Sequence, residues 1–369
     1  MNPHLPCARP GVAARRAGGG RQRWLLLILA LGLRSAPADP VDDLVRETMR
    51  AQRVAGVALA VIQHRREIKT ATYGLANLEL QVPVQLNTVF EIGSVTKQFT
   101  AAGILLLQQQ GKLSVNDPIT KYLPTAPGAW TNVTIRHLLT HTSGIKSYTG
   151  RSGFEFSRHL TQTQFIRAIA AAAPDFAPGE GWQYSNSGYN LLGFILENAS
   201  GQTYWQFLRD NIWRPLGMDA TTDRNPSVII PNRASGYEQT NGIPVNRDGD
   251  LTDVFSAGAM VSTVGDLARW HGALDAGRLL TKESQTQMWT PERLNQAQST
   301  GYGFGWHVQT FAGHRNFAHN GATSGFNASV QRFPDDELNV IVLTNTGEML
   351  AGPLAQKVAA CYLGPRKER

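Results

Sequence analysis

Ser94-Val95-Thr96-Lys97 opens the strongest helical pattern in this 369-residue chain. Residues three apart on a helix share a face, so Lys97 leans beside Ser94 one turn along. The amino end of the helix adds unpaired N–H groups and partial positive charge at the serine. A serine becomes a nucleophile when a base takes its proton, and a lysine serves if burial depresses its pKa by several units from about 10.4. The competing reading is a plain helix cap, although a capping box wants Glu or Gln where Lys97 stands. Tyr184-Ser185-Asn186 lies in a turn before an apolar helix. A phenol there can shuttle a proton between Ser94 and a leaving group, and the amide of Asn186 can hold a substrate carbonyl. Taken alone, the same residues read as a turn tyrosine and an Asx cap. His319-Asn320-Gly321 stands at an apparent strand edge, where Gly321 lets backbone approach closely and His319 can hydrogen-bond or bias a neighbouring tyrosine.

Other spacings carry less. His137-x-x-x-His141 has zinc-like spacing but lacks the Glu of H-E-x-x-H, so core or loop packing explains it better. No G-x-S-x-G elbow and no Walker A motif occurs, and Gly301-x-Gly303-x-Gly305 does not open a helix. The eight tryptophans are scattered and read as packing. No metal and no cofactor is expected, and the partner is a small-molecule or peptide substrate.

The elements that must position these residues follow from periodicity. Asp39 caps a helix with Pro40 in its first turn and Val41, Leu44, Val45 and Met49 on one face. Gly56 to Gln63 reads as a buried strand, and Ile68 to Leu75 as its hairpin partner. Ser94 to Gln110 is the best helix, closed by Gly111. Thr134 to His141 and Tyr189 to Asn198 look helical. Gly305 to Phe311, Ala328 to Phe333 and Asn339 to Thr344 are strands, and a last helix sets Leu350, Leu354, Val358 and Cys361 on one face. The fold class is therefore α/β of the α+β type: an antiparallel sheet built from both chain ends, flanked by helices, with a mainly helical lobe inserted. The sheet lobe takes about 39–111 and 296–369, and the helical lobe about 112–295.

The net charge of +7 suggests nucleic-acid binding until its distribution is read. Residues 1–38 hold six arginines and no acid; without them 29 basic residues face 28 acidic ones. No basic stripe remains for phosphates, so nucleic acid is excluded. The arginine-rich start, the ten-residue apolar run from Trp24 to Leu33 and Ala36-Pro37-Ala38 make a secretory signal, too short to span a bilayer comfortably. The expected protein is exported, periplasmic or secreted, with no stable membrane insertion beyond the leader. Cleavage after Ala38 leaves Cys361 as the one cysteine, so the core alone holds the fold. Asn132, Asn198 and Asn327 stand in Asn-x-Ser/Thr patterns, which matter only in a eukaryotic secretory pathway.

Ser-x-x-Lys, Tyr-x-Asn and His-x-Gly, in that order, make the chain resemble the serine β-lactamase and penicillin-recognising DD-peptidase superfamily on its class C-like side; S-x-x-K, S-D-N and K-T-G are the related set in class A. Phe90-Glu91-Ile92-Gly93, His137 to Gly144, Tyr184 to Gly188, Ser262-Thr263 with Asp266, and Tyr302-Gly303-Phe304-Gly305-Trp306 also resemble that superfamily, from about residue 40 to residue 362. The resemblance implies a β-lactamase/transpeptidase-like fold and an acyl-enzyme on Ser94. Lys97 and Tyr184 would share the proton transfers, and Asn186 would orient the substrate amide. His319 would line the opposite wall near Tyr184. The N–H groups of Ser94 and of Ala322, next to Gly321, would form the oxyanion hole. His319 stands where class C β-lactamases usually carry lysine, and Asn320 replaces the commoner threonine or serine. A histidine there is more like DD-peptidases and D-aminopeptidases, which argues against β-lactam hydrolysis as the main activity, and Asn320 alters carboxylate recognition; the expected substrates are D-amino-acid peptides, short esters or cyclic amides. A penicillin sensor that acylates with little turnover, a true β-lactamase and an inactive scaffold are the alternatives.

Overall fold

The computed structural model describes residues 39–149, 158–295, 298–348 and 351–365, so the leader reading lies outside the described residues. Strand β1 (Gly56–Gln63) is apolar at nearly every position because both of its faces are covered. Val57, Leu59 and Val61 join Val45 of helix α1 (Pro40–Gln52) and Leu354 and Val358 of the C-terminal helix (Ala351–Ala360). Ala58, Ala60 and Ile62 point the other way, into the larger core. Side chains alternate across a strand, so a strand sandwiched between layers needs apolar residues throughout.

Strand β2 (Arg66–Asn77) and the short β3 (Val82–Pro83) extend the sheet on one side of β1. On the other side follow Leu338–Thr344, Phe326–Phe333, His314–Thr323 and His307–Phe311. Among the described residues these seven strands form one sheet, and every pairing in it is antiparallel. Both chain ends therefore meet in one sheet with helices on its faces, as the pattern of elements implied. A smaller sheet pairs β4 (Phe90–Glu91) with Met260–Ser262, which pairs in turn with Thr222–Asp223.

Helix α2 (Thr96–Gln109) is buried from Thr96 to Leu107, so its mostly apolar surface has no solvent face to favour. Between α2 and the late strands lie α3 (Ile135–Leu139), α4 (Gln162–Ala170) and α5 (Asn186–Ser200), each with a Thr or Ser cap.

Several boundaries move for identifiable reasons. The expected helix at Ser94 begins as a 3-10 turn, Gly93–Val95, before α2 proper. The helix expected to reach His141 stops at Leu139, because His141 takes a left-handed conformation (φ 62°). The strand expected from Gly305 starts at His307, since Gly305 has φ 78° and packs on the Lys97 carbonyl. The last helix buries Leu354 and Val358, but Cys361 lies past its end and is exposed, and Leu350 lies outside the described residues. Asn327 is buried, its Oδ1 accepting the Ala351 N–H, which leaves it poorly placed for a glycan.

Candidate active site

Ser94 sits in the tight turn that feeds directly into α2, at the amino end of a buried helix. Its side chain caps nothing there, which removes the plain-cap reading. Lys97, one turn on, is completely buried. Its Nζ lies 3.2 Å from Ser94 Oγ, 2.7 Å from Asn186 Oδ1 and 2.6 Å from the Ala257 carbonyl. None of these partners is a carboxylate, and burial pushes the ammonium well below the usual lysine range. A neutral amine has two N–H bonds and one lone pair. Two N–H bonds to the two carbonyl oxygens leave the lone pair for the Ser94 hydroxyl.

Asn186 is the first residue of α5, where Ser185 caps the helix by accepting from the Gly188 N–H. Its Oδ1 takes Lys97 while its Nδ2 donates to Thr149, which fixes the orientation of the amide. Tyr184, just before the cap, is half-buried beside Ser94. The Lys97 Nζ lies 4.9 Å from the centre of its ring. Burial raises the Tyr184 phenol well above its ordinary value, and a hydrogen bond with Ser94 opposes that shift. The neutral phenol is therefore a proton donor to whatever occupies the space next to Ser94.

His319 lies within the His314–Thr323 strand, at the point where pairing to His307–Phe311 ends at Ala318. Its outer edge is thereby left facing Ser94 rather than a strand. His319 does not bond Tyr184, whose ring lies 6.2 Å away between centroids. Its Nδ1 is 2.7 Å from the Asn320 carbonyl and its Nε2 is 2.8 Å from Tyr302 Oη. A carbonyl only accepts, so Nδ1 carries the proton. Burial holds the ring neutral, so Nε2 accepts from the Tyr302 hydroxyl. His141 plays a packing part: its ring sits 4.3 Å from that of Tyr184, and its Nδ1 accepts from the Ser185 N–H. His137 caps α3 by accepting from the Thr134 N–H. The two histidines of the zinc-like spacing thus serve separate structural roles.

Two glycines let the sheet touch the serine turn. A Cβ on Gly321 would lie 1.9 Å from the Ile92 carbonyl and 2.9 Å from the Ser94 nitrogen. One on Gly93, which also has φ 49°, would lie 2.6 Å from the Ala322 nitrogen. Their absence brings the Ser94 and Ala322 N–H groups to the same small space. Ser94, Lys97, Tyr184, Asn186, His319, Gly321 and Ala322 are therefore gathered around one point.

Four contributors escaped the sequence reading. Ala257 supplies the carbonyl on Lys97 from a segment strained at Phe255 (φ 43°, ψ −129°), a conformation that favours glycine. Tyr302 fixes the state of His319, and its only signal was the Tyr302-to-Trp306 stretch. Glu91 and Arg224 form a buried ion pair, with Glu91 Oε2 also accepting from Thr323 at 2.7 Å, next to Ala322. Burial raises the Glu91 carboxyl to about 7, opposed by Thr323 and Arg224, and both partners donate to it. Arg224 also holds Asp248. Glu91→Ala is expected to lower stability by about 2 kcal/mol, because it takes one of two carboxylates from a buried guanidinium, leaving Asp248 alone, and removes the acceptor of Thr323. The check is the urea midpoint; a change below about 0.5 kcal/mol would show that the pair contributes little.

Known proteins share this chain's family and fold. The family described as Beta-lactamase matches residues 41–360. A penicillin-binding protein of Bacillus subtilis (strain 168) is 34% identical over 300 residues, 75% of this chain. The aligned part is 65% of that protein, so this chain spans just under two thirds of its length. The octameric penicillin-binding protein homologue from Pyrococcus abyssi superposes with a TM-score of 0.79 at 27% identity, covering 88% of this chain and 77% of that one. The D-amino acid amidase from Ochrobactrum anthropi SV3 gives 0.76 at 26% identity, covering 88% and 99%.

Proposed function

This chain belongs to the beta-lactamase family, a family of serine hydrolases, and from that premise we propose that it hydrolyses acyl substrates through an acyl-enzyme on Ser94. The supporting observation is the Lys97 amine, fully buried, with its N–H bonds directed at Asn186 and Ala257 and its lone pair at Ser94. Ser94 Oγ attacks the acyl carbon as its proton passes to Lys97, with Tyr184 sharing the transfers. The oxyanion is held by the N–H groups of Ser94 and Ala322. As the bond to the leaving group breaks, Tyr184 gives that group a proton. The proton held on Lys97 restores the Tyr184 phenol; water then attacks the acyl carbon as Lys97 takes its proton, the bond to Ser94 Oγ breaks to release the acid, and that proton returns to Ser94. Asn186 orients the acyl amide, and His319 braces the far wall.

The substrates proposed are peptides of D-amino acids, short esters and cyclic amides, and the D-amino acid amidase neighbour supports the first. We place the enzyme outside the cytoplasm on the strength of its leader. Incubation with a fluorescent penicillin and a short ester tests the reading. Rapid ester turnover with little retained label is expected. Label that stays bound without turnover would make the protein a penicillin-binding sensor, and faster turnover of penicillin than of ester would make it a β-lactamase.

Two further outcomes follow. The active form of Lys97 is the free amine, and its pKa is depressed, so kcat/KM falls only as pH drops through that low value. The acid limb is expected far below the usual lysine range; a limb near 10 would remove Lys97 as the base. Tyr184→Phe is expected to cost about 10²-fold in kcat on an alkyl ester and much less on a nitrophenyl ester, which needs no proton to depart. Equal losses on both would argue that Tyr184 only packs.

A further inference from the structure

Cavities open on two sides of Ser94. The larger, about 470 Å³, is bounded by Asn186, Thr149, Leu251, Val254 and Ala257. The smaller, about 300 Å³, holds Tyr184 and is bounded by His307, His319, Asn320, Asn327 and Pro353. If Tyr184 protonates the departing atom, the leaving group must occupy the cavity that contains Tyr184, and the acyl part the other.

The described residues give the smaller cavity no cation. Among its described lining residues there is neither lysine nor arginine. His319 has no spare N–H, because Nδ1–H goes to the Asn320 carbonyl and Nε2 accepts from Tyr302. Burial holds both His319 and His307 toward the neutral form. The helix Ala351–Ala360 brings its first turn here, where the Ala351 N–H is donated to Asn327 Oδ1, Pro353 has no N–H, and Gly352 offers a single backbone N–H in place of a cation. Lys97 lies outside this lining, with its N–H groups directed at Asn186 and Ala257. What remains among the described lining residues is neutral: the Gly352 N–H, the amides of Asn320 and Asn327, the imidazole of His307 and the phenol of Tyr184. A carboxylate entering such a space gives up water without meeting an opposite charge or a bidentate donor.

Resting on the acyl-enzyme reading, we propose that the Tyr184 cavity selects uncharged leaving groups, such as neutral alcohols and amines, and disfavours a leaving group that carries a carboxylate. The enzyme is thereby an esterase or amidase in preference to a carboxypeptidase that releases an amino acid.

Two esters test this with one acyl group and leaving phenols of similar acidity: 3-carbamoylphenyl acetate and 3-carboxyphenyl acetate. Wild-type kcat/KM is expected to be at least about tenfold higher on the carbamoyl ester. A ratio near one, or one favouring the carboxylate, overturns the proposal. Asn320 is exposed, so Asn320→Lys brings a cation to the cavity with little packing cost. It is expected to shift the ratio at least about fivefold toward the carboxylate ester. An unchanged ratio in the folded variant overturns the placement of the leaving group. Failure of the parent reading looks different: neither ester would be hydrolysed faster by the wild type than by Ser94→Ala.

Discussion

Ser94→Ala is expected to lower kcat by at least about 10³-fold on any ester the wild type turns over, with the fold intact. The effect should be confined to chemistry because the hydroxyl does no structural work. It caps neither the Gly93–Val95 turn nor α2, and its side-chain partners are Lys97 and Tyr184, both members of the site. Its removal leaves the amine held by Asn186 and Ala257, with nothing to deprotonate. Lys97→Ala should be nearly as severe and non-additive with Ser94→Ala, since nucleophile and base act as one unit. Lys97→Arg should not rescue, because a guanidinium stays protonated. Steady-state rates beside urea denaturation midpoints check this. A folded Ser94→Ala protein with near-normal turnover would end the acyl-enzyme reading.

Gly321→Ala is the second large effect expected, about 10²-fold or more in kcat. The added methyl would meet the Ile92 carbonyl and the Ser94 nitrogen, and both are backbone. Neither can swing aside as a side-chain tip could, so the His314–Thr323 strand must move away from the serine turn. That movement separates the Ala322 N–H from the Ser94 N–H. Acylation should suffer far more than binding, so kcat falls while KM changes little. Stability should also drop, because Gly321 is buried between strand and turn. A variant with wild-type kcat would show that these two N–H groups do not act together on the oxyanion.

Much of the fold was readable locally. The apolar run of β1, the Asp39 cap with Pro40, and the β-type runs ending at Phe333 and Thr344 emerged as elements with nearly the expected bounds. Errors gathered where backbone conformation depends on distant contacts. His141 turns left-handed where it packs under Tyr184, and Gly305 does so where it meets the Lys97 carbonyl. Periodicity sets Cys361 on one face with Leu354 and Val358, but the helix ends before it and Cys361 is exposed.

The site divides in the same way. The sequence by itself determined that Ser94 and Lys97 share a helix face, that Asn186 opens a helix just after Tyr184, and that a glycine follows His319-Asn320. Spacing and capping are local matters, settled within a few residues. Only the tertiary structure decided that Lys97 is dry and held by the Ala257 carbonyl, that His319 answers to Tyr302 rather than Tyr184, and that Glu91 meets Arg224 and Thr323. The charge on an amine or a carboxyl is set by lost water and by partners more than a hundred residues away, as for Lys97 and Glu91. No window along the chain contains that information, because it exists only once the sheet has closed on the helix.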